Sequence, residues 1–350
     1  MQDTTTVGLD LAKSVFQVAG QNGAQKVTFN RQLKRRDVLT FFAKLPPCLV
    51  GMEACGSAHY WSRELTKLGH RVKLMVPKYV KGFLKRGKTD ATDAEAICEA
   101  VSRVHVTDVA PKSEAQQCAL MLHKARETLI GLRTQLRNTI RAHVSELGLV
   151  DATGPEGFKR LLAMIVGETC TSLAPLARLA LKPLADSLST VENSISALDA
   201  AIAVAHKKNE TSRRLESIPG VGILGATAFA ATVSDAGAFK SARHFSASLG
   251  LTPRIDGSGG KTKLGSITKQ GNGYLRRLLY LGAIARLQHA RRHPDKANAW
   301  MLRLLAEKSF KAAAIAVANK TARTIWALLV RGGTYRADHQ PAAFAARALA

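Results

Sequence analysis

The first third of the chain alternates short apolar runs with amphipathic stretches. Residues 5–76 contain the strand-like runs TTVGLDL, VFQVAG, QKVTFN, CLVGM and VKLMV, with helix-like stretches before and after the fourth. The predicted order is β-β-β-α-β-α-β, which favours a mixed sheet with helices packed on it. A further helix should follow and end near Val104, because Ala94, Ile97 and Val101 recur at helical spacing.

Two long stretches in the middle of the chain have helical periodicity. Apolar residues recur every three or four positions from about Ser113 to Leu149 and again from Leu184 to about His206. Two such helices predict either an antiparallel, coiled-coil-like hairpin or an ordinary helical bundle, and the pattern does not separate these. Either arrangement would space two functional domains and offer a surface for self-association.

The last third begins with a glycine-rich turn. The sequence IPGVG at residues 218–222 matches the hairpin of a helix-hairpin-helix element, in which glycines expose backbone amides to a phosphate. Any glycine-rich connection between helices looks similar, so that alternative stays open. A short helix is expected at residues 241–249, a glycine-rich loop or hairpin at 252–268, and further helices from Gly273, with a loose tail after Tyr335.

Composition and charge narrow the class of protein. The chain has 350 residues, of which 46% are hydrophobic, enough to fill the cores of two or three domains. Its formal net charge of +25 indicates a polyanionic partner, and nucleic acid is the first candidate. Between residues 251 and 336 there are 17 Lys or Arg and 3 acidic residues. A merely solvated basic surface is the alternative.

Cysteine usage and hydropathy bear on the compartment. The five cysteines form no CxxC pair, which argues against a disulfide framework or a zinc ribbon and favours a reducing cytoplasm. The N-terminus has no targeting features, and the apolar segment near the C-terminus is broken by Lys320 and Arg323. We therefore expect no membrane partner.

Four acids in the first third stand at informative positions: Asp10, Glu53, Asp90 and Asp93. Asp10 and Glu53 each end an apolar run, and the other two lie one helical turn apart on one helix face. Converging carboxylates repel unless a cation neutralises them, and oxygen ligands of this kind favour Mg²⁺ or Mn²⁺. The spacing predicts two-metal phosphodiester chemistry. The alternative makes Asp90 a helix N-cap, Asp93 a dipole partner, and the strand-end acids merely solvated.

A competing motif overlaps this region. Residues 82–89, GFLKRGKT, satisfy the phosphate-loop pattern GxxxxGK[ST]. The context disfavours a phosphate loop, because the preceding strand should end before Pro77 and residues 79–84 look helical. A basic loop whose Lys88 contacts nucleic acid is the preferred interpretation.

A second candidate centre is the segment GLTPRIDGSGGKTKLGSITKQGNGYLRRLLY, in which Ser258 is flanked by glycines. The candidate cations for nucleic-acid binding in this segment are Arg254, Lys261, Lys263, Lys269, Arg276 and Arg277. Small neighbours let a phosphodiester approach the hydroxyl, and the cations would stabilise a phosphoryl transition state. The loop equally suits a phosphate grip in which Ser258 only donates a hydrogen bond.

Other groups near Ser258 are weaker candidates. Thr262, Ser266 and Thr268 could take the same role, and no histidine in the segment could serve as a local base. A nucleophilic serine would therefore depend on activation from elsewhere, such as a metal. The histidines of the chain show no metal-ligand spacing, and we assign them no catalytic role.

Together, the two centres resemble one family. The four acids look like the DEDD set of RuvC-like insertion-sequence transposases. The stretches SIPGVG, FSASLGLTPR and SGGKTKLGSITKQGNGYLRR resemble the C-terminal domain of the IS110 type, and in particular its IS1111 group. The resemblance extends from about Thr6 to Arg331 in the expected order.

The resemblance implies a fold of class α/β plus all-α. It implies an RNase H-like (RuvC-like) catalytic domain at residues 1–105 and a helical, coiled-coil-like linker at 106–212. A small helical transposase domain with a helix-hairpin-helix element would follow at 213–336, and a flexible tail at 337–350.

The resemblance also implies an activity and its partners. The four acids would bind the metal ions, and Ser258 would attack a phosphodiester to leave a covalent phosphoserine intermediate. A homo-oligomer, dimer to tetramer, would join the acids of one protomer to the serine of another. A structured noncoding guide (bridge) RNA would choose donor and target DNA, in a bacterial cytoplasm at the nucleoid.

Two rival functions remain open at this point. A Holliday-junction resolvase would use the same acids with water as nucleophile and would form no covalent adduct. A non-enzymatic nucleic-acid-binding protein on an eroded nuclease fold would bind with salt dependence but would not cleave. A phosphate-loop ATPase is a remote third.

Overall fold

The computed structural model describes residues 3–84, 87, 89–103, 105–106, 108–167, 173–258 and 261–336, with the backbone alone at positions 258, 261 and 262. The chain divides into two compact units, Met1–Gln117 and Cys118–Ala350. The finer boundaries expected near residues 105, 212 and 336 stay predictions.

A mixed sheet with helices on both faces forms the described part of the first unit. Its strands are β1 (Thr4–Asp10), β2 (Val15–Asn22), β3 (Val27–Lys34), β4 (Leu49–Glu53), β5 (Arg71–Met75) and β6 (Asp108–Val109). Its helices are α1 (Val38–Ala43), α2 (Ala58–Lys67), α3 (Pro77–Val80) and α4 (Asp90–Val101). The element order predicted from the sequence is confirmed from β1 to β5.

The sheet combines parallel and antiparallel pairs. In space the strands follow the order β3-β2-β1-β4-β5-β6. The central strands β1, β4 and β5 are parallel to one another, whereas β2, β3 and β6 pair antiparallel with their neighbours. This mixed arrangement fits the RNase H-like sheet that the resemblance implies.

The two faces of the sheet carry different helices. Val7 and Leu9 of β1 are fully buried, together with Val50 of β4, on the face covered by α1 and α2. Gly8 lies on the opposite face, where α4 packs. Because side chains alternate along a strand, Asp10 lies on the α4 face, opposite Val7 and Leu9.

Helix α4 rests on the backbone of two strands at a pair of glycines. Gly8 of β1 is in register with Gly51 of β4. A Cβ atom on Gly8 would lie 2.1 Å from the carbonyl oxygen of Ala94, and one on Gly51 would lie 2.7 Å from Cβ of Val101. Only glycine at these two positions lets α4 come this close to the sheet.

The described part of the second unit is helical except for one hairpin. Its helices are α5 (Glu114–Glu146, which begins in the first unit), α6 (Pro155–Val166), α7 (Pro175–Lys208), α8 (Glu210–Glu216), α9 (Ile223–Thr232), α10 (Ala242–Ser248), α11 (Gly273–Arg292), α12 (Ala299–Glu307) and α13 (Phe310–Arg331). Strands β7 (Pro253–Ser258) and β8 (Lys261–Ile267) form an antiparallel pair, so the predicted glycine-rich segment is a hairpin.

The two long helices expected in the middle of the chain are α5 and α7. They run antiparallel, since Arg126 pairs with Asp199 and Arg137 with Glu192. Helix α6 packs with both in one apolar cluster, which includes Ile140, Val144, Phe158, Leu161, Ile165, Leu181 and Leu188. At this end the three helices share one core, as expected for the helical-bundle alternative. A coiled coil along the rest of the pair stays a prediction.

The glycine-rich turn at residues 218–222 joins α8 to α9. Gly220 has a φ of +82°, and a Cβ atom on it would lie 2.9 Å from the carbonyl oxygen of Gly282 in α11. The turn therefore needs glycine both for its backbone conformation and for its contact with α11. The phosphate-binding role of a helix-hairpin-helix element stays a prediction for this turn.

Helix α13 is long and apolar enough to cross a membrane by length and composition alone. In the structure it is part of the core of the second unit, where Ala313, Val317, Ala322 and Ile325 are fully buried. Lys320 interrupts its apolar sequence and places its ammonium group over the ring of Trp300. Here α13 packs as a core helix.

Gly8→Ala tests whether α4 depends on its contact with the strand backbone. The added methyl group meets backbone atoms of Ala94 and Cys98 in α4, so this helix must shift. We expect the first unit to lose about 1–3 kcal/mol of stability, the usual cost of overpacking. Hydrogen–deuterium exchange of β1 and α4 measures this loss.

Gly23→Ala is the matched control, because a Cβ atom on Gly23 meets no atom of the described residues within 4 Å. Its exchange should equal that of the wild type. Equal exchange in both variants would show that the close approach at Gly8 is not needed.

Candidate active site

Asp10 and Glu53 are the last residues of two neighbouring parallel strands, β1 and β4. Leu9 is in register with Met52, so the residues that follow them lie side by side on the α4 face. Neighbouring strands are about 4.8 Å apart, which brings the two carboxylates to one edge of the sheet. The predicted placement of these acids at strand ends is what the structure has.

Asp90 and Asp93 lie in the first turn of α4. Thr89 is the N-cap: its hydroxyl accepts a hydrogen bond from the amide of Thr92, and the Thr92 hydroxyl accepts one from the amide of Thr89. Asp90 is therefore not the N-cap that the alternative interpretation assigned to it. With the cap supplied by two threonines, both aspartates are left available for other contacts.

The four acids are near enough for the other three to influence the ionisation of Asp10. The pKa of Asp10 is raised from its usual 3.8 to about 6, first by burial and then by the charges of Asp93, Glu53 and Asp90, in that order. A hydrogen bond from the backbone amide of Leu11 opposes the shift. Repulsion from three separate carboxylates requires that all of them lie near Asp10.

A polar network ties the start of α4 to the sheet beside the acids. Gln17, 7% exposed and in register with Asp10, donates a hydrogen bond of 2.6 Å to the side-chain oxygen of Asn30. The side-chain Nδ2 of Asn30 donates to the backbone carbonyl of Ala91 at 3.2 Å and to the Glu95 carboxylate at 2.9 Å. This network was not predicted from the sequence. The available signal was Gln17, an amide between the apolar residues Phe16 and Val18 in a predicted strand.

The donor set fits a hard divalent cation. All four side chains offer oxygen, and Oδ1 of Asp93 is buried without a hydrogen-bond partner in the described structure. Among the described residues, no three His, Cys, Asp or Glu side chains are close enough to hold a metal ion as arranged. Because the carboxylates repel one another, closing a cation site would require the side chains to move inward.

Cys55 is the nearby group that a softer metal would prefer. Burial, followed by the charges of Glu53 and Asp10, raises the pKa of its thiol. It therefore stays protonated near neutral pH and is a poor ligand or nucleophile. The acids remain the chemically relevant groups of this site.

The basic hairpin of the second unit carries the other predicted centre. Ser258 ends β7 and Lys261 begins β8, whereas Gly259, Gly260 and the side chains of both strand-end residues lie outside the described structure. The side chains of Arg254, Lys263 and Lys269 are exposed on or beside the hairpin. These three cations are therefore accessible to an anionic partner.

The other predicted cations have different surroundings. Arg276 donates hydrogen bonds of 2.9 Å to the carbonyls of Leu249 and Gln270, which secures the segment after the hairpin. Arg277 pairs with Glu127 at 2.8 Å. Lys88 lies outside the described residues. Binding of nucleic acid by any of these three stays a prediction.

The phosphate-loop alternative lacks its usual structural context. A phosphate loop follows its strand directly. Here α3 and a 3-10 turn at Lys81–Phe83 come between β5 and the rest of the motif. The described residues thus give no support to nucleotide binding at this segment.

One buried histidine joins three helices of the second unit. Nδ1 of His123 in α5 is 2.9 Å from the Tyr274 hydroxyl of α11, and Nε2 is 3.0 Å from the Thr227 hydroxyl of α9. Thr227 donates to the Ile223 carbonyl, so Nε2 is the protonated nitrogen. Burial and then Arg126 lower the pKa of His123 to about 4, which keeps it neutral. The residue links helices and has no sign of acid–base use.

Asp10→Asn tests the energetic penalty of ionising Asp10 in the acidic site. The folded pKa near 6 exceeds the usual 3.8, so the wild type loses stability as the pH rises between these values, and the penalty persists above pH 6. Asparagine removes this penalty. Without divalent metal at pH 7.5, we expect the variant's first unit to gain about 1–2 kcal/mol, discounted for the partial exposure of Asp10.

Hydrogen–deuterium exchange of β1 and β4, compared between variants at the same pH, measures this gain. Glu99→Gln is the control, since Glu99 is an exposed acid of α4 that pairs with Arg103. The gain should vanish at pH 4. A gain that is equal at both pH values would contradict the raised pKa of Asp10.

Known proteins share both units of the chain. Residues 7–148 match a family model for the DEDD transposases of IS110, and residues 212–298 match the model described as "Transposase IS116/IS110/IS902 family". A Pseudomonas aeruginosa protein named "Probable family 20 transposase" is 44% identical over 332 residues, covering 94% of this chain and 98% of the relative.

Two further relatives are named after their mobile elements. The transposase for insertion sequence element IS1111A of Coxiella burnetii is 38% identical, over 96% of this chain and 92% of its own length. The transposase for IS1328 of Yersinia enterocolitica is 34% identical, over 96% and 99%. The chain therefore belongs to the IS110 family of insertion-sequence transposases.

Proposed function

We propose that the protein cleaves and rejoins DNA strands with divalent cations, Mg²⁺ or Mn²⁺, bound by Asp10, Glu53, Asp90 and Asp93. The observation that carries this proposal is the convergence of the other three acids on Asp10, whose pKa their charges help to raise. A fold that accumulates negative charge at one point gains most from a cation there.

Bound cations would supply Lewis-acid stabilisation of the charge that develops on the phosphodiester oxygens. The chain's own residues would hold the cations in place. Asp10 and Glu53 are fixed by the strands, and Asp90 and Asp93 by the capped first turn of α4. The network from Gln17 through Asn30 restrains α4 and thereby positions its two aspartates.

Ser258 is proposed as the nucleophile. Its Oγ would form an ester bond to phosphorus while the bond from phosphorus to the leaving oxygen of the DNA strand breaks. The hydroxyl proton leaves to a base, and the leaving oxygen gains a proton. A hydroxyl of the incoming strand then reverses the exchange and frees the serine. The exposed Arg254 and Lys263 support this role, because they can offset the phosphoryl charge.

The partners follow from the same proposal. Donor and target DNA would bind the basic surface, and a structured noncoding RNA would select them. A homo-oligomer, dimer to tetramer, would let the acids of one protomer act with the serine of another. The net charge of +25 supports polyanionic partners. We place this activity in the bacterial cytoplasm.

Substitution of the acids tests the metal-dependent chemistry. Asp10→Asn and Asp93→Asn each remove an oxygen ligand with little change in shape. Even second-sphere changes at metal sites cost about 10–100-fold, so we expect DNA cleavage to fall by at least roughly 100-fold. Cleavage of element-end DNA in Mn²⁺ measures this loss.

Two further measurements separate chemistry from folding. Mn²⁺ should raise the unfolding temperature of the wild type and of Glu99→Gln but not that of the aspartate variants. DNA binding without metal should be unchanged in all of them. Full cleavage by both aspartate variants would refute the metal site.

Ser258→Ala tests the covalent step. A nicked DNA substrate run on a denaturing gel should trap a protein–DNA adduct with the wild type and with the control Ser266→Ala, but not with Ser258→Ala. An adduct that survives Ser258→Ala would assign the nucleophile to another hydroxyl. Metal-dependent cleavage by the wild type without any adduct would instead support the resolvase alternative.

A further inference from the structure

A cleft lined by arginines lies between α5 and the start of α6. Its volume is about 260 Å³. Arg133, Arg137 and Arg141 line it from α5, and Gly154 and Phe158 line it from the α6 side. None of these residues belongs to the acidic site or to the basic hairpin.

The spacing of the arginines directs them to one place. They stand four residues apart, so their side chains lie along one face of α5. The guanidinium carbons of Arg137 and Arg141 lie 5.4 Å and 5.1 Å from the ring centre of Phe158, which is 2% exposed. Arg141 also donates to the carbonyl of Gly154 at 3.1 Å. These contacts hold two of the three guanidinium groups in place before any ligand binds.

Positive charge in the cleft exceeds the negative charge around it. Arg137 pairs with Glu192, whereas Arg133 makes no ion pair within the part of the chain that the structure describes. Nε of Arg137 is buried and has no hydrogen-bond partner among the residues that the structure describes. A buried guanidinium N–H without an acceptor is costly and is relieved by an oxyanion.

The backbone and the acidic residues next to the cleft preserve its excess of positive charge. Helix α6 begins at the rim, with Gly154 as an N-cap that supplies no side-chain cap, so the positive end of the helix dipole faces the cleft. The nearby acids Asp151 and Glu156 are already paired, with Arg160 and Lys159 respectively.

We propose that this cleft binds one phosphate group of a nucleic-acid backbone. The ligand class rests on the proposed function, which supplies nucleic acid as the partner. The guanidinium forks match the oxygens of a phosphodiester, a chemistry that DNA and RNA share. The cleft would anchor the backbone on the helical region and carry no sequence information.

The test measures nucleic-acid binding by the full-length protein. Fluorescence anisotropy with a DNA duplex and an RNA stem of equal length gives Kd over a series of KCl concentrations. Arg133→Gln should weaken binding and lower the slope of log Kd against log salt by about 1 for one lost phosphate contact. Arg133→Lys, which keeps the charge, should recover part of the slope.

A charge-neutral double variant separates a specific contact from net charge. Arg137→Gln with Glu192→Gln removes an ion pair without changing the net charge, and it should still weaken binding several-fold if Arg137 contacts a phosphate. Lys124→Gln is the matched control, because it removes one exposed charge from α5 outside the cleft. The slope of log Kd against log salt should differ less from the wild-type slope for Lys124→Gln than for Arg133→Gln.

The outcomes identify the source of the phosphate. A slope lost with the DNA duplex, the RNA stem or both supports the cleft and names its ligand. If Arg133→Gln behaves like Lys124→Gln with both probes, and the double variant binds like the wild type, the proposal is overturned. Every variant should keep the wild-type unfolding temperature and Mn²⁺ response. Failure of metal-dependent cleavage would refute the proposed function while leaving these binding results intact.

Discussion

Close packing of α4 on the strand backbones at Gly8 and Gly51 is the contact on which the acidic site depends. Without side chains at these positions, the helix lies directly on the sheet. Its first turn thereby reaches the edge where β1 and β4 end, and the carboxylates are forced together. Burial of Asp10, followed by the charges of the three neighbouring acids, raises its pKa, and this shift is an energetic cost of that packing. Under the proposed function, a cation at the same point would offset this penalty, so the site would trade stability of the metal-free fold for metal binding.

The two units carry opposite kinds of electrostatic imbalance. The first concentrates acids at one edge of its sheet, whereas the second presents cations on the β7–β8 hairpin and in the cleft beside α6. Under the proposed function, metal-dependent chemistry on a polyanion would use both, because the cations would retain the backbone and the acids would retain the metal. The contacts of the buried His123 and the half-buried Arg276 show that other polar side chains of the second unit serve its packing.

Sequence patterns predicted much of the fold because strand alternation and helical periodicity are local. They placed Asp10 and Glu53 at strand ends and Asp90 and Asp93 on one helix turn, as the structure has them. They did not reveal the link from Gln17 to Asn30, because β2, β3 and α4 meet only in three dimensions. They also missed that α6 packs with α5 and α7 and so forms the arginine cleft. Contacts between residues distant in sequence leave no local signature.

Anomalous X-ray diffraction from crystals grown with Mn²⁺ tests the central claim most directly. We expect a manganese peak within bonding distance of carboxylate oxygens from Asp10 and at least two of the other three acids. The peak should disappear in Asp10→Asn crystals grown under the same conditions. Manganese bound elsewhere in the wild type, with all four carboxylates free of it, would contradict a metal site at the ends of β1 and β4.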